Sequence, residues 1–159
     1  MNDSLNLKMS AGSICNREVI TVDADTSLAE AALMMREKHV GSLVVVKRNN
    51  GSAIPVGIVT DRDLVVQIMA FKIPYDQIKV NEIMNNELFT VNQDLDMWSV
   101  IKQMRSHGVR RLPVVDGLNG LVGIVSIDDI ICLLSSELND LSDIIQFEQY
   151  NEQANRVSL

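Results

Sequence analysis

The sequence predicts an α/β protein built from two tandem β-α-β-β-α repeats, and three observations lead there. The stretch Val56-Gly57-Ile58-Val59-Thr60-Asp61-Arg62-Asp63 returns as Val122-Gly123-Ile124-Val125-Ser126-Ile127-Asp128-Asp129. A long register of identities surrounds that pair. Apolar runs of strand length also alternate with helix-period segments around each copy.

The elements follow in order. Residues 1–10 are polar and unpatterned, a loose lead-in. Val19 to Val22 reads as a short strand. Ser27 with Glu30 fits a capping box and opens a helix to about Lys38, with Leu28, Ala31, Ala32 and Met35 on one face. Leu43 to Val46 is a β-branched strand, Asn49-Asn50-Gly51 a turn, and Ile54 to Val59 the returning strand of a hairpin. A second helix runs from Asp61 to about Ala70. The first repeat is thus 11–70, and 71–79, with Pro74 inside, is a linker.

The second repeat, 80–135, follows in register. At an offset of 69 (83 − 14), Ile14, Thr21, Val22, Asp25, Met35, Arg36, Val40, Leu43 and Val45 land on Ile83, Thr90, Val91, Asp94, Met104, Arg105, Val109, Leu112 and Val114. Past the hairpin turn the offset becomes 66 (123 − 57), and Gly57, Ile58, Val59 and Asp63 meet Gly123, Ile124, Val125 and Asp129. This is an internal duplication. Two copies with apolar faces pack against each other about an approximate twofold axis, which places the two strand-to-helix corners in related clefts. In the extension, 136–159, Leu138, Leu141 and Ile145 continue a heptad-like stripe from Leu134. It serves either to cover its own domain or to pair with a second copy. From about Gln149 the chain is polar and expected to fray.

Composition narrows the function. The 159 residues are 47% hydrophobic and 22% charged, a globular profile, with a formal charge of −7. Nucleic-acid affinity comes mainly from Lys and Arg neutralising phosphates, so this balance argues against such a partner. No apolar run approaches the ~20 residues of a membrane span, nothing at the N-terminus resembles a signal peptide, and a cytoplasmic protein is expected. Cys15 and Cys132 read as two buried thiols. Trp98 and the methionines, among them Met34, Met35, Met69, Met84 and Met104, read as core or helix-contact residues. His39 and His107 read as surface residues at helix C-termini. Two His and two scattered Cys give no recognisable metal site, and no nucleophile–base pair or paired catalytic acids can be argued. No enzyme is expected.

The repeated corner carries the chemistry. A carboxylate can accept both vicinal hydroxyls of a ribose, which suits Asp63 and Asp129. A hydroxyl at a helix start, beside free backbone N–H groups, suits a phosphate or ribose oxygen. The same residues also fit helix capping, in which Thr60 and Ser126 cap and the acids favour the first turn. The two roles can coexist.

The repeat, with a strand ending in Gly, two apolar residues, Ser or Thr, and Asp three further on, resembles the CBS domain, named after cystathionine β-synthase. Two in tandem form a CBS pair, or Bateman module. The resemblance spans about residues 11–135 and includes Arg110-Arg111-Leu112-Pro113-Val114-Val115-Asp116 before the second hairpin. It implies a pseudo-twofold pair whose clefts bind adenosine-containing ligands such as AMP, ADP, ATP, NAD or S-adenosylmethionine, with no required cofactor. Carried onto this chain, it puts Thr60, Arg62, Asp63, Leu88, Phe89, Arg110, Arg111, Leu112 and Pro113 in cleft one. Cleft two takes Val19, Ile20, Val40, Gly41, Ser42, Leu43, Ser126 and Asp129.

The arginines make the clefts unequal. Guanidinium forks grip phosphates, so cleft one is expected to take the phosphorylated ligand. Cleft two has Gly41 and Ser42 at the arginine-pair positions and Asp128 at that of Arg62, so it is expected to hold a less anionic ligand, bind weakly or stay empty. The resemblance also implies a homodimer formed through helices and a sensor that signals to a separate protein. The alternative is a ligand-independent interaction or oligomerisation module.

Overall fold

The computed structural model describes residues 9–49, 51–85 and 87–156. Most of the expected lead-in, Asn50 of the expected turn and the last three residues lie outside them. Two three-stranded sheets carry the fold. The first contains β1 (Thr21–Asp23), β2 (Ser42–Asn49) and β3 (Ser52–Thr60). β1 runs parallel to β2 and β2 antiparallel to β3. The parallel step requires a crossover, which α2 (Leu28–Lys38) supplies after the short helix α1 (Ala11–Ile14). The second sheet repeats the arrangement with β4 (Val91–Asn92), β5 (Arg111–Val115) and β6 (Leu121–Ser126). Its crossover helix is α5 (Met97–His107), preceded by the short α4 (Val80–Ile83). Both hairpins are irregular at the same place, Val45/Val46 and Val114/Val115.

Local chemistry explains the crossover helices. Ser27 and Glu30 close the expected capping box, with the Glu30 backbone N–H on Ser27 Oγ at 3.2 Å and the Ser27 N–H on Glu30 Oε2 at 3.1 Å. Those bonds from Ser27 hold the Glu30 carboxyl below its ordinary pKa. Asp96 caps α5 through the Ser99 N–H at 3.0 Å and is likewise lowered, chiefly by its bonds with Ser99. Leu28, Ala31 and Met35 turn inward from α2, and Met97, Val100 and Met104 from α5. Two separate cores result.

The short leading helices cross between those cores. Ala11 of α1 is fully buried in the second core, with Ile14 and Cys15 packed against it, while Val80 and Ile83 of α4 are buried in the first. The backbone contacts obey the twofold. The Ala11 N–H donates to Leu95 O at 2.7 Å and that of Val80 to Thr26 O at 2.9 Å, the same pair displaced by 69 (80 − 11 = 69; 95 − 26 = 69). Isolated bridges Asn16↔Ile124 and Asn85↔Ile58 tie each crossing segment to the other repeat's third strand.

Several sequence expectations are corrected. The second helix is one α-turn, α3 (Asp61–Asp63), continuing as a π-helix over Leu64–Met69, with the Ala70 N–H reaching back five residues to Val65 O at 3.0 Å. α6 (Ile127–Arg156) runs helical through the stretch expected to fray, because no Pro or Gly interrupts it. It does not cover its own domain beyond Leu134: residues 135–153 are all exposed, Leu138, Leu141 and Ile145 included. Trp98 and Met69 are exposed at 58% and 69%, on helix faces turned from the cores, whereas Met35 and Met104 are buried as expected. Cys132 is exposed, because the α6 residues facing the second core are Ile130, Leu133 and Leu134. Cys15 is half-buried, and burial raises its pKa against the smaller opposing pull of Arg17. No helix among the described residues is long and apolar enough to cross a membrane.

Candidate functional site

Each motif corner is a strand end that becomes a helix start. Thr60 closes β3 in an extended conformation and caps α3. Its Oγ1 accepts the Asp63 N–H at 3.2 Å, while its own N–H and O–H donate to Asp63 Oδ2 at 2.8 and 2.7 Å. Ser126 repeats this on β6: it accepts the Asp129 N–H at 3.1 Å and donates N–H and O–H to Asp129 Oδ2 at 3.1 and 2.5 Å. Both caps consume one carboxylate oxygen. Asp129 Oδ1 has no partner among the described residues, and Asp63 Oδ1 meets only Gln67 Nε2, at 3.4 Å. Capping therefore leaves an acceptor on each acid.

Cleft one is an open cavity of about 370 Å³. Thr60, Arg62, Asp63, Leu88, Phe89, Arg110, Arg111 and Leu112 line it as expected. Pro113 does not: it is buried within β5, in register with Ile124. The cavity also includes Ser42, Ile58, Asn85, Glu87, Gly108 and Val109. Phe89 stacks with His107, the ring centroids 3.7 Å apart and the planes 16° from parallel. His107 is exposed at the end of α5, as expected, and the stacking on Phe89 is a contact the sequence did not indicate.

Cleft two is about 310 Å³, lined by Val19, Ile20, Val40, Gly41, Ser42, Ser126 and Asp129. Leu43 is absent from it, being fully buried in the first core. Asn16, Glu18, His39, Val44, Ile124 and Arg111 complete the wall. His39 ends α2 in the left-handed region at φ 53°, where its twofold mate is Gly108 at φ 64° (39 + 69 = 108). The offset of 69 also pairs Asn16 with Asn85 and Glu18 with Glu87, a signal that could have placed these segments at the clefts.

The charges differ between the clefts. Cleft one has Arg62, Arg110 and Arg111 against Asp63 and Glu87; cleft two has Arg111 against Glu18 and Asp129. Arg110 is already engaged, its guanidinium 3.1 Å from Asp128, in a pair exposed enough (75% and 57%) to contribute at most about 1 kcal/mol. Arg62 and Arg111 have no ion-pair partner among the described residues. No group of three or more His, Cys, Asp or Glu is placed to hold a metal ion among those residues.

Comparison with known proteins places this geometry. The CBS domain family model matches residues 11–70 and 80–136. An uncharacterised protein of Methanopyrus kandleri is 36% identical over 108 residues, 68% of this chain and 54% of that protein. The chain thus spans about half of that relative's length. The CBS domain-containing protein YhcV of Bacillus subtilis is 34% identical over 102 residues, 64% of this chain and 69% of that one. Among solved structures, a hexameric CBS-CP12 protein from bloom-forming cyanobacteria superposes with a TM-score of 0.68 at 32% identity, covering 77% of this chain and 66% of its own. A CBS domain pair in complex with 5′-methylthioadenosine and S-adenosyl-L-methionine superposes at 0.70 with 26% identity, covering 81% of this chain and 98% of its own.

Proposed function

This chain belongs to the CBS domain family, with one copy of the domain in each half, and on that premise we propose that it is a regulatory module. It binds an adenosine-containing ligand in the clefts between its repeats and signals to a separate protein; it is not an enzyme. One observation carries this reading. Each cleft combines a capped hydroxyl–carboxylate corner from one repeat with apolar residues from the other, and in each the cap leaves one carboxylate oxygen to accept from a ribose. Asp63 Oδ1 has only a 3.4 Å contact from Gln67, and Asp129 Oδ1 has no partner among the described residues. The ligand of the structural neighbour, S-adenosylmethionine with 5′-methylthioadenosine, is of the same class. The unpaired Arg62 and Arg111 favour AMP, ADP, ATP or NAD in cleft one, and the acidic lining of cleft two favours a less anionic ligand.

Thermal unfolding of ligand-free protein with each of AMP, ADP, ATP, NAD and S-adenosylmethionine tests this reading. A ligand at about 100 times its dissociation constant adds roughly 2.7 kcal/mol, a shift of roughly 5–10 °C for a chain this long. The shift is expected with at least one nucleotide and lost in Asp63→Ala. A chain that no ligand stabilises would instead support the ligand-independent interaction module, the reading that the closed capping boxes favour.

We propose further that the chain forms a homodimer in which a second copy covers the α6 stripe. Leu138, Leu141 and Ile145 are 57–64% exposed at heptad spacing, which is self-complementary, and a structural neighbour is itself oligomeric. Light scattering should show a dimer for the full chain and a monomer for Leu141→Glu; an unchanged dimer in that variant would place the interface elsewhere.

A further inference from the structure

Arg111 stands where the two clefts meet. It opens β5, opposite Ser126, and borders both cavities. Its twofold mate Ser42 (111 − 69 = 42) borders both as well, so the position shared by the two cavities is a cation in one repeat and a small hydroxyl in the other. Arg111 is exposed and has no ion-pair partner among the described residues, whereas Arg110 beside it is held by Asp128. In cleft two it is the only Lys or Arg of the lining among the described residues; cleft one has in addition Arg62 and the Asp128-paired Arg110. One guanidinium grips one phosphate through a planar two-pronged contact, and a group so engaged cannot present the same fork to a second anion.

We infer that Arg111 is a shared anion-binding residue that links the clefts and is held by one phosphorylated ligand at a time. This rests on the ligand-binding reading above. Cleft one, with Arg62, wins the guanidinium when both clefts compete for it. Cleft two is then left with Glu18 and Asp129 and takes the phosphate-free member of the class, a nucleoside. The single residue converts two similar pockets into a pair that prefers unlike ligands.

Amide NMR of the full chain separates the clefts, with residues 60–63 reporting cleft one and residues 126–129 cleft two. AMP and adenosine are the probes. AMP should move the cleft-one amides first. Arg111→Ala should shift the cleft-one AMP curve to at least about tenfold higher concentration, the factor expected for a lost charged hydrogen bond. It should leave the cleft-two AMP curve in place, because cleft one already holds the guanidinium when cleft two fills, and leave both adenosine curves in place. Arg62→Ala should weaken AMP at cleft one and, by releasing Arg111, strengthen it at cleft two. A cleft-two AMP curve that Arg62→Ala leaves unmoved, a cleft-one AMP curve that Arg111→Ala leaves unmoved, or adenosine curves that Arg111→Ala moves equally overturns the sharing. Amides that respond to neither probe in the unsubstituted protein contradict ligand binding itself, a separate failure.

Discussion

Replacing Leu43 by alanine should lower the unfolding free energy by about 2–5 kcal/mol and leave the ligand affinity of cleft two unchanged. Leu43 has no exposed surface and packs in the first core among Leu28, Met35, Val45 and Val59. It sits on the middle strand of its sheet, paired with Val59, so neighbouring backbone cannot collapse to fill the void. Leu43 resembles a cleft residue only by its place in the motif; Ser42 before it and Val44 after it border cleft two, and Leu43 does not. The expected fall in melting midpoint is roughly 4–20 °C. Urea unfolding followed by circular dichroism gives the stability, and titration of the folded variant gives the affinity. A variant as stable as the parent would contradict the packing, and one that folds but loses only ligand binding would return Leu43 to the cleft.

Gly123→Ala should cost about 1–3 kcal/mol, more than Gly57→Ala. The motif glycines exist because the other repeat's crossing segment lies against their strands. A Cβ at Gly123 would collide with Cys15 Sγ and come within 2.8 Å of the Asn16 carbonyl oxygen. That carbonyl accepts the Ile124 N–H at 2.9 Å, so it cannot retreat without breaking the tie between the repeats. At Gly57 the closest atom is the sulfur of Met84, at 2.7 Å, the far end of a flexible side chain. Cys15→Ala should recover only part of the Gly123→Ala loss, since the backbone contact remains. Denaturant midpoints for the three variants and the double variant check this; equal costs at Gly57 and Gly123 would mean that the crossing segments are not rigid.

What could be read from the sequence is what local chemistry or duplication determines. The Ser27–Glu30 capping box, the hairpins and the inward faces of α2 and α5 depend on spacings of a few residues. The offsets of 69 and 66 carried the pseudo-twofold, and the resemblance to the CBS domain implied the mixing of repeats in each cleft; most of the residues it named line a cavity. Features that depend on distant chain segments were not readable. The crossing of α1 and α4 into the opposite cores is set by tertiary packing, although Ile14 matching Ile83 marked both segments as equivalent. Leu43 is buried in the first core and Pro113 within β5, although both stand beside residues that line the clefts. The Arg110–Asp128 pair joins residues 18 positions apart, and it divides an arginine doublet into one engaged and one free cation.

Calorimetric titration of AMP into ligand-free protein, beside Arg62→Ala, tests the central claim most directly. Saturable binding that weakens at least about tenfold in the variant is the expected result. No saturable heat with AMP, ADP or ATP would contradict the assignment of cleft one as a nucleotide site.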